Sequence, residues 1–227
     1  MCFSTKASFG AAIVLTGIGV IALNYSKTKT QRAVAIMPLI FAAQQLSEGV
    51  LWISLLHPEY QYLKRWAMYS FLTFAEMIWP VYIPFITLIA EQQKERIKWI
   101  KPLLVFGVCI VVMLTYGLIA FPTNAELING HIKYSLKYPI VNTWYYGLIY
   151  FMPTIVAPML SSNRMFRLLG VALFIAYVVS RIFYNHFVIS IWCYFGAMIS
   201  VMAIAMIREL AMENTPNMET RKARINR

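Results

Sequence analysis

The chain has 227 residues and a formal net charge of +11, with 60% apolar residues, 13% charged residues and a mean hydropathy of +0.63. Water-soluble domains carry roughly half apolar and about a quarter charged residues, so the soluble globular classes are excluded. An isoelectric point near 9.7 would suit nucleic acid, but the basic residues fall mostly between long apolar runs, which points to membrane orientation and to no nucleic-acid partner.

A bilayer core about 30 Å thick needs roughly 20 helical residues to cross. Seven runs qualify: residues 8–24, 33–56, 66–90, 102–121, 139–160, 165–184 and 187–207. They predict an all-α, polytopic membrane protein with seven transmembrane helices in one domain over residues 1–207. A polar basic tail follows at residues 208–227 and is expected in the cytoplasm on anionic lipid. The first run, after Lys6, has the outline of a signal peptide. Only Asn24, Tyr25 and Ser26 follow it, with no small-x-small site, so it is read as an uncleaved span. Pro102 and Pro139 are placed at the first turns of the fourth and fifth helices, where proline is tolerated. The longest connection, residues 122–138, is read as a loop with an Asn129-Gly130 turn. Tyr184, Asn185 and His186 are read as the turn between the last two spans.

Charge sets the orientation. With the N-terminus outside, the inner segments hold 14 Lys and Arg and the outer segments 6. An odd number of spans then places the C-terminus in the cytoplasm.

Ionisable groups inside spans are costly and mark function by default. Three are predicted: Glu48, Glu76 and Arg181. Glu48 falls about 12 Å and Glu76 about 15 Å below the same outer edge, on consecutive helices that are expected to be neighbours. Gln44, Gln45, Glu48, Gly49 and Trp52 share one polar stripe. Pro80, four residues after Glu76, should release the Glu76 backbone carbonyl. The pair reads either as a polar site or as carboxyls held by structural hydrogen bonds. Arg181 reads either as a side chain reaching the outer headgroups or as a counter-ion for one glutamate. Trp66, Trp99 and Trp144 suit an interfacial belt. Tyr145, Tyr146 and Tyr150 line the fifth helix, either walling a pocket or packing against lipid and helices.

His57, His131 and His186 all fall on the outer side, but no metal-ligand spacing connects them; His186 and Cys193 are weak metal candidates only. Cys2 and Cys193 face the same compartment and read either as a disulfide or thiol pair or as two unpaired thiols. Cys109 reads as packing within the fourth helix.

The opening Met1-Cys2-Phe3-Ser4 with Ala7-Ser8-Phe9, then Gln44-Gln45-x-x-Glu48-Gly49-x-x-Trp52, then Ser190-x-Trp192-Cys193-x-Phe195, resembles an uncharacterised bacterial family of small multi-helix membrane proteins. The resemblance implies a bacterial inner (cytoplasmic) membrane location. It also places Cys2, Glu48, Trp52 and Cys193 in a shared pattern, pointing to an outer-side site.

Missing residues exclude several seven-helix chemistries. The last span has no lysine for a retinal Schiff base, the chain has no Asp for a ceramidase-like hydrolase, and no histidine falls within a span to activate a serine. P-loop and dinucleotide-binding glycine patterns are absent, so no cofactor is assigned. The leading expectation is a binding or transport-like protein. Its outer-facing pocket would use Gln44, Gln45, Glu48, Trp52, Glu76, Arg181 and Trp192 for a small solute, a lipid headgroup or a cation. The alternative is an outer-face enzyme or a redox or metal protein using Cys2, Cys193 and His186.

Overall fold

The computed structural model describes residues 4–143 and 145–212. Among these described residues, six helices are long and apolar enough to cross a membrane: α1 (Thr5–Tyr25), α2 (Lys29–Leu56), α3 (Pro58–Ala90), α4 (Lys94–Ala120), α6 (Arg164–Phe183) and α7 (Asn185–Met212). A shorter apolar helix, α5 (Tyr146–Met159), lies between α4 and α6. The protein is therefore an integral membrane protein of six to seven apolar helices.

Local chemistry sets the helix starts. Ser4 caps α1 by accepting from the Ala7 N–H. Thr28 and Gln31 form a reciprocal capping box at α2. Asn163 caps α6 by accepting from the N–H groups of Met165 and Phe166. Such caps satisfy amides that the first helical turn leaves without partners. α1 packs chiefly on α2, and α2 continues against α3 and α7. The second half of α3 packs on α4 and α5, and α6 packs on α5 and α7.

Five expectations are corrected. Pro102 sits inside α4, not at its first turn, because helical structure begins at Lys94. Pro139 opens a separate 3-10 turn, Pro139–Asn142, rather than the fifth helix. That helix is therefore shorter than the predicted span. The last helix runs five residues beyond 207. Cys109 lies on the outward, exposed face of α4 and does not pack inside the bundle.

The fifth correction concerns residues 122–138, which are not a plain loop. They form an antiparallel hairpin, β1 (Thr123–Ile128) and β2 (His131–Leu136), paired from Thr123↔Leu136 to Ile128↔His131. Asn129 (φ 50°) and Gly130 (φ 74°) make the turn. Two successive positive φ values are what a tight two-residue hairpin needs, and Asn-Gly supplies them at low cost. Alternation then buries Ile132, Tyr134 and Leu136 on one face. That face lies against the start of α7. Tyr134 stacks on Phe71 of α3 with ring centroids 4.9 Å apart. The hairpin is thus tucked into one end of the bundle, the end that also holds His57 and the α6–α7 turn.

That turn is present. Tyr184 leaves helical geometry (φ −135°, ψ 41°), and α6 and α7 pack on each other. Trp66 and Trp99 are exposed on the bundle surface; Trp144 lies outside the described residues.

Candidate functional site

Two helices depart from α-geometry where the site is built. α3 is π-helical over Thr73–Ile78, and α5 over Met152–Val156. In a π-turn the hydrogen bond spans five residues. Pro80 therefore removes the donor due to the Ala75 carbonyl rather than the one expected for Glu76. The Tyr150 hydroxyl from α5 donates to that Ala75 carbonyl instead. The proline-broken α3 is thus repaired by a tyrosine from a neighbouring helix. In α2, which stays α-helical around Pro38, the Tyr82 hydroxyl donates to the Ala33 carbonyl, one residue before the Val34 carbonyl that Pro38 leaves without its donor.

The π-turn carries Glu76, which is 3% exposed. Two hydroxyls converge on one of its oxygens: Tyr146 of α5 donates to Oε2 at 2.6 Å, and Tyr138, after the hairpin, at 3.3 Å. Tyr138 reaches this position because Gly117 of α4 leaves room for its ring; a Cβ there would sit 2.8 Å from it.

Glu76 lines a cavity of about 490 Å³. Around it stand Tyr134 from the hairpin, Tyr146 and Tyr150 from α5, Tyr177 and Arg181 from α6, and Asn185, His186, Trp192 and Cys193 from the α6–α7 turn and α7. Cavities of roughly this size hold small organic ligands. Trp192 meets Tyr150 and Tyr177 edge to face, with centroids 5.4 and 5.2 Å apart, and its indole donates to the Leu173 carbonyl at 3.2 Å. Arg181 and His186 are exposed, and the Arg181 guanidinium donates to Asn185. Charge therefore alternates from a deep carboxyl to an exposed guanidinium, with an aromatic wall between them. Behind Tyr150, Trp192 and Cys193 lies an apolar hollow of about 40 Å³, bounded by Met37, Phe41 and Leu173.

The structure brings together Glu76, Arg181, Trp192, His186 and Cys193. It does not place Gln44, Gln45, Glu48 or Trp52 on the cavity wall. Those four are buried where α2 meets its neighbours. Glu48 accepts from the Ser190 hydroxyl of α7 and, at 3.3 Å, from the Gln45 amide. Gln44 accepts from the Trp79 indole at 2.8 Å. Glu48 and Glu76 thus have separate hydrogen-bond partners, although Tyr134 and Cys193 lie within electrostatic reach of Glu48. Arg181 forms no ion pair with either glutamate. Cys193 is a buried free thiol; Cys2, its expected partner, lies outside the described residues. Among the described residues, no group of three His, Cys, Asp or Glu side chains could hold a metal.

Three residues at or beside this site had no part in the sequence reading: Tyr134, Tyr138 and Tyr177. The alternation Ile132, Tyr134, Leu136 after an Asn-Gly turn was the available signal for the first two. A fourth missed residue, the acid Glu91, sits at the opposite end of the bundle, 6% exposed between α3 and α4. It accepts from the Gln92 and Gln93 N–H groups at 3.0 and 2.9 Å. The Ser161 hydroxyl donates to it at 3.1 Å, and Ser162 through both hydroxyl and N–H at 2.5 and 2.6 Å. Burial alone would push its carboxyl up; these donors outweigh burial and hold it below the usual glutamate range.

A hydrogen-bonded carboxyl in an aromatic cavity, inside a bundle of apolar helices, defines a class: a polytopic membrane protein with a carboxyl-bearing, aromatic-walled cavity at one end. The chain belongs to DUF6629, a family of unknown function whose profile matches residues 1–218. No curated protein and no solved structure matches it.

Proposed function

We propose that this protein is a binding or transport-like component of a bacterial inner membrane. In this reading it has seven crossings within one domain, its N-terminus outside and its basic tail in the cytoplasm. The cavity at the hairpin end then opens outward and takes a small solute, a lipid headgroup or a cation. Glu76, Arg181 and Trp192 contact the ligand. Gln44, Gln45, Glu48 and Trp52 form the polar backing that fixes α2 against α3 and α7. The observation that carries this reading is the cavity of about 490 Å³ holding one deep carboxyl. Membrane bundles close-pack their interiors when packing is their only task, and ionisable side chains inside them mark pathways and ligand sites.

Thiol chemistry tests the reading. With Cys2→Ser and Cys109→Ser in place, Cys193 is the remaining thiol, and it lines the cavity. It should react with methyl methanethiosulfonate in intact membranes, while a bulky maleimide should reach only Val188→Cys nearer the mouth. A Cys193 that stays unmodified by the small reagent while Val188→Cys is labelled would mean that the chamber is not open to water.

A further inference from the structure

We infer that the cavity takes a small zwitterion, with its ammonium group on Glu76 and its oxyanion on Arg181; this rests on the reading of the cavity as a binding site. Four observations lead there. First, both tyrosine donors to Glu76 fall on Oε2. Among the described residues no donor reaches Oε1, so one carboxyl oxygen is left for a ligand N–H. Second, the ion pairs among the described residues, His57–Glu59 and Lys98–Glu95, lie at the surface, and no Lys, Arg or His pairs with Glu76. The ionised form of a carboxyl in a low-dielectric bundle calls for a cation, and none of the described residues supplies one. Third, the Tyr134 hydroxyl is buried, lines the same cavity and has no hydrogen-bond partner among the described residues. Together with the Tyr150, Tyr177 and Trp192 rings it makes an aromatic enclosure of the kind that favours an ammonium group. Fourth, the opposite charge is provided at the exposed end. Arg181 has Asn185 as its partner, which leaves guanidinium N–H groups for an oxyanion, with His186 beside it on the same wall. A simple amine would leave this cation unused, and a simple anion would meet an uncompensated carboxyl at depth.

The ligand chemistry is shared by free amphoteric solutes and by zwitterionic phospholipid headgroups, and the test separates them. In the full-length chain with Cys2→Ser and Cys109→Ser, the rate of Cys193 modification is followed in detergent with phosphoethanolamine, ethanolamine or inorganic phosphate. Phosphoethanolamine should protect at about tenfold lower concentration than either fragment, the worth of one added charge-assisted contact. Glu76→Gln should abolish protection by ethanolamine. Arg181→Gln, at an exposed position, should reduce phosphoethanolamine to the level of ethanolamine. Protection in detergent identifies a free solute. Protection seen only in nanodiscs of phosphatidylethanolamine, and not of phosphatidylglycerol, identifies a lipid headgroup. Equal protection by ethanolamine and phosphoethanolamine overturns the zwitterion. So does a Cys193 that is labelled freely but protected neither by any of the three probes nor in phosphatidylethanolamine nanodiscs, which leaves the chamber itself standing. A Cys193 that never reacts removes both.

Discussion

Glu91 and Glu76 are buried to a similar extent at opposite ends of one bundle, and their surroundings could hardly differ more. Glu91 receives five donors, three of them backbone N–H groups, from two connections that meet around it. The carbonyls beside it are occupied as well. Arg96 donates to Leu160 at 2.7 Å, and Arg167 to Ser161 and Ser162 at 3.1 and 2.6 Å. Every polar group there is used inside the protein, which is how a structural knot looks. Glu76 receives two tyrosine hydroxyls on one oxygen and faces open volume. Burial of an acid is therefore a poor guide to its role. What separates the two is how many of its lone pairs the protein itself fills.

The sharpest way to break this comparison is Glu91→Ala. It strips five donors of their acceptor at once. With net values of roughly 1.5–3 kcal/mol per hydrogen bond to a charged group, partly recovered by water, a loss of about 3 kcal/mol is expected. It should appear as a lowered melting temperature in detergent, with Cys193 labelling at the hairpin end still protected by ligand. An unchanged melting temperature would show that the knot contributes nothing. Acid should act on the same group. Because the folded-state carboxyl of Glu91 is held below its ordinary range, its contribution is complete above the unfolded value. It is lost as pH falls through the lower, folded value. Melting followed between neutral pH and pH 3 should show wild type losing stability in that acid range and Glu91→Gln losing less.

Next in size is Gly107→Ala. Gly107 lets α4 approach the backbone of α3 so closely that a Cβ would lie 2.0 Å from the Pro80 carbonyl. Backbone cannot yield as a flexible side chain does, so about 2 kcal/mol of destabilisation is expected. Pro80 adjoins the π-turn that aims Glu76. This substitution should therefore disturb both melting and the cavity, whereas Glu91→Ala disturbs melting alone.

Apolar run length made the bundle legible in the sequence, since a bilayer fixes the length of helix that crosses it. Arg181, Trp192 and Glu76 were legible as site candidates because polar groups inside apolar runs stand out. The hairpin was not, because twelve strand residues in a polar connection carry a weak signal apart from Asn129-Gly130. Nor was the Glu91 knot, whose serine partners lie about 70 residues away and obey no local spacing. The shift of the freed carbonyl from Glu76 to Ala75 depends on the π-turn, and that turn is matched to a tyrosine on another helix. Pairing Glu48 with Glu76 rested on similar depth in neighbouring helices; depth fixes height in the membrane but not the direction in which a side chain points. Glu48 turns to Ser190.

Smallest in stability, and most telling for the comparison, is Tyr146→Phe. It removes the 2.6 Å donor from Glu76 and the hydroxyl contact between Tyr146 and Tyr138, while the ring remains to wall the cavity. If Glu76 were a knot like Glu91, this loss would leave a buried carboxyl short of a donor, at a cost of about 1–3 kcal/mol. In an open chamber, water or ligand takes the vacated position, and melting should change by about 1 kcal/mol or less. The ligand response should change more than the melting, because Oε2 then accepts from Tyr138 alone and offers a lone pair beside Oε1 to an ammonium group. A melting loss as large as that of Glu91→Ala, with ligand protection unaltered, would make the two acids alike and return Glu76 to structure.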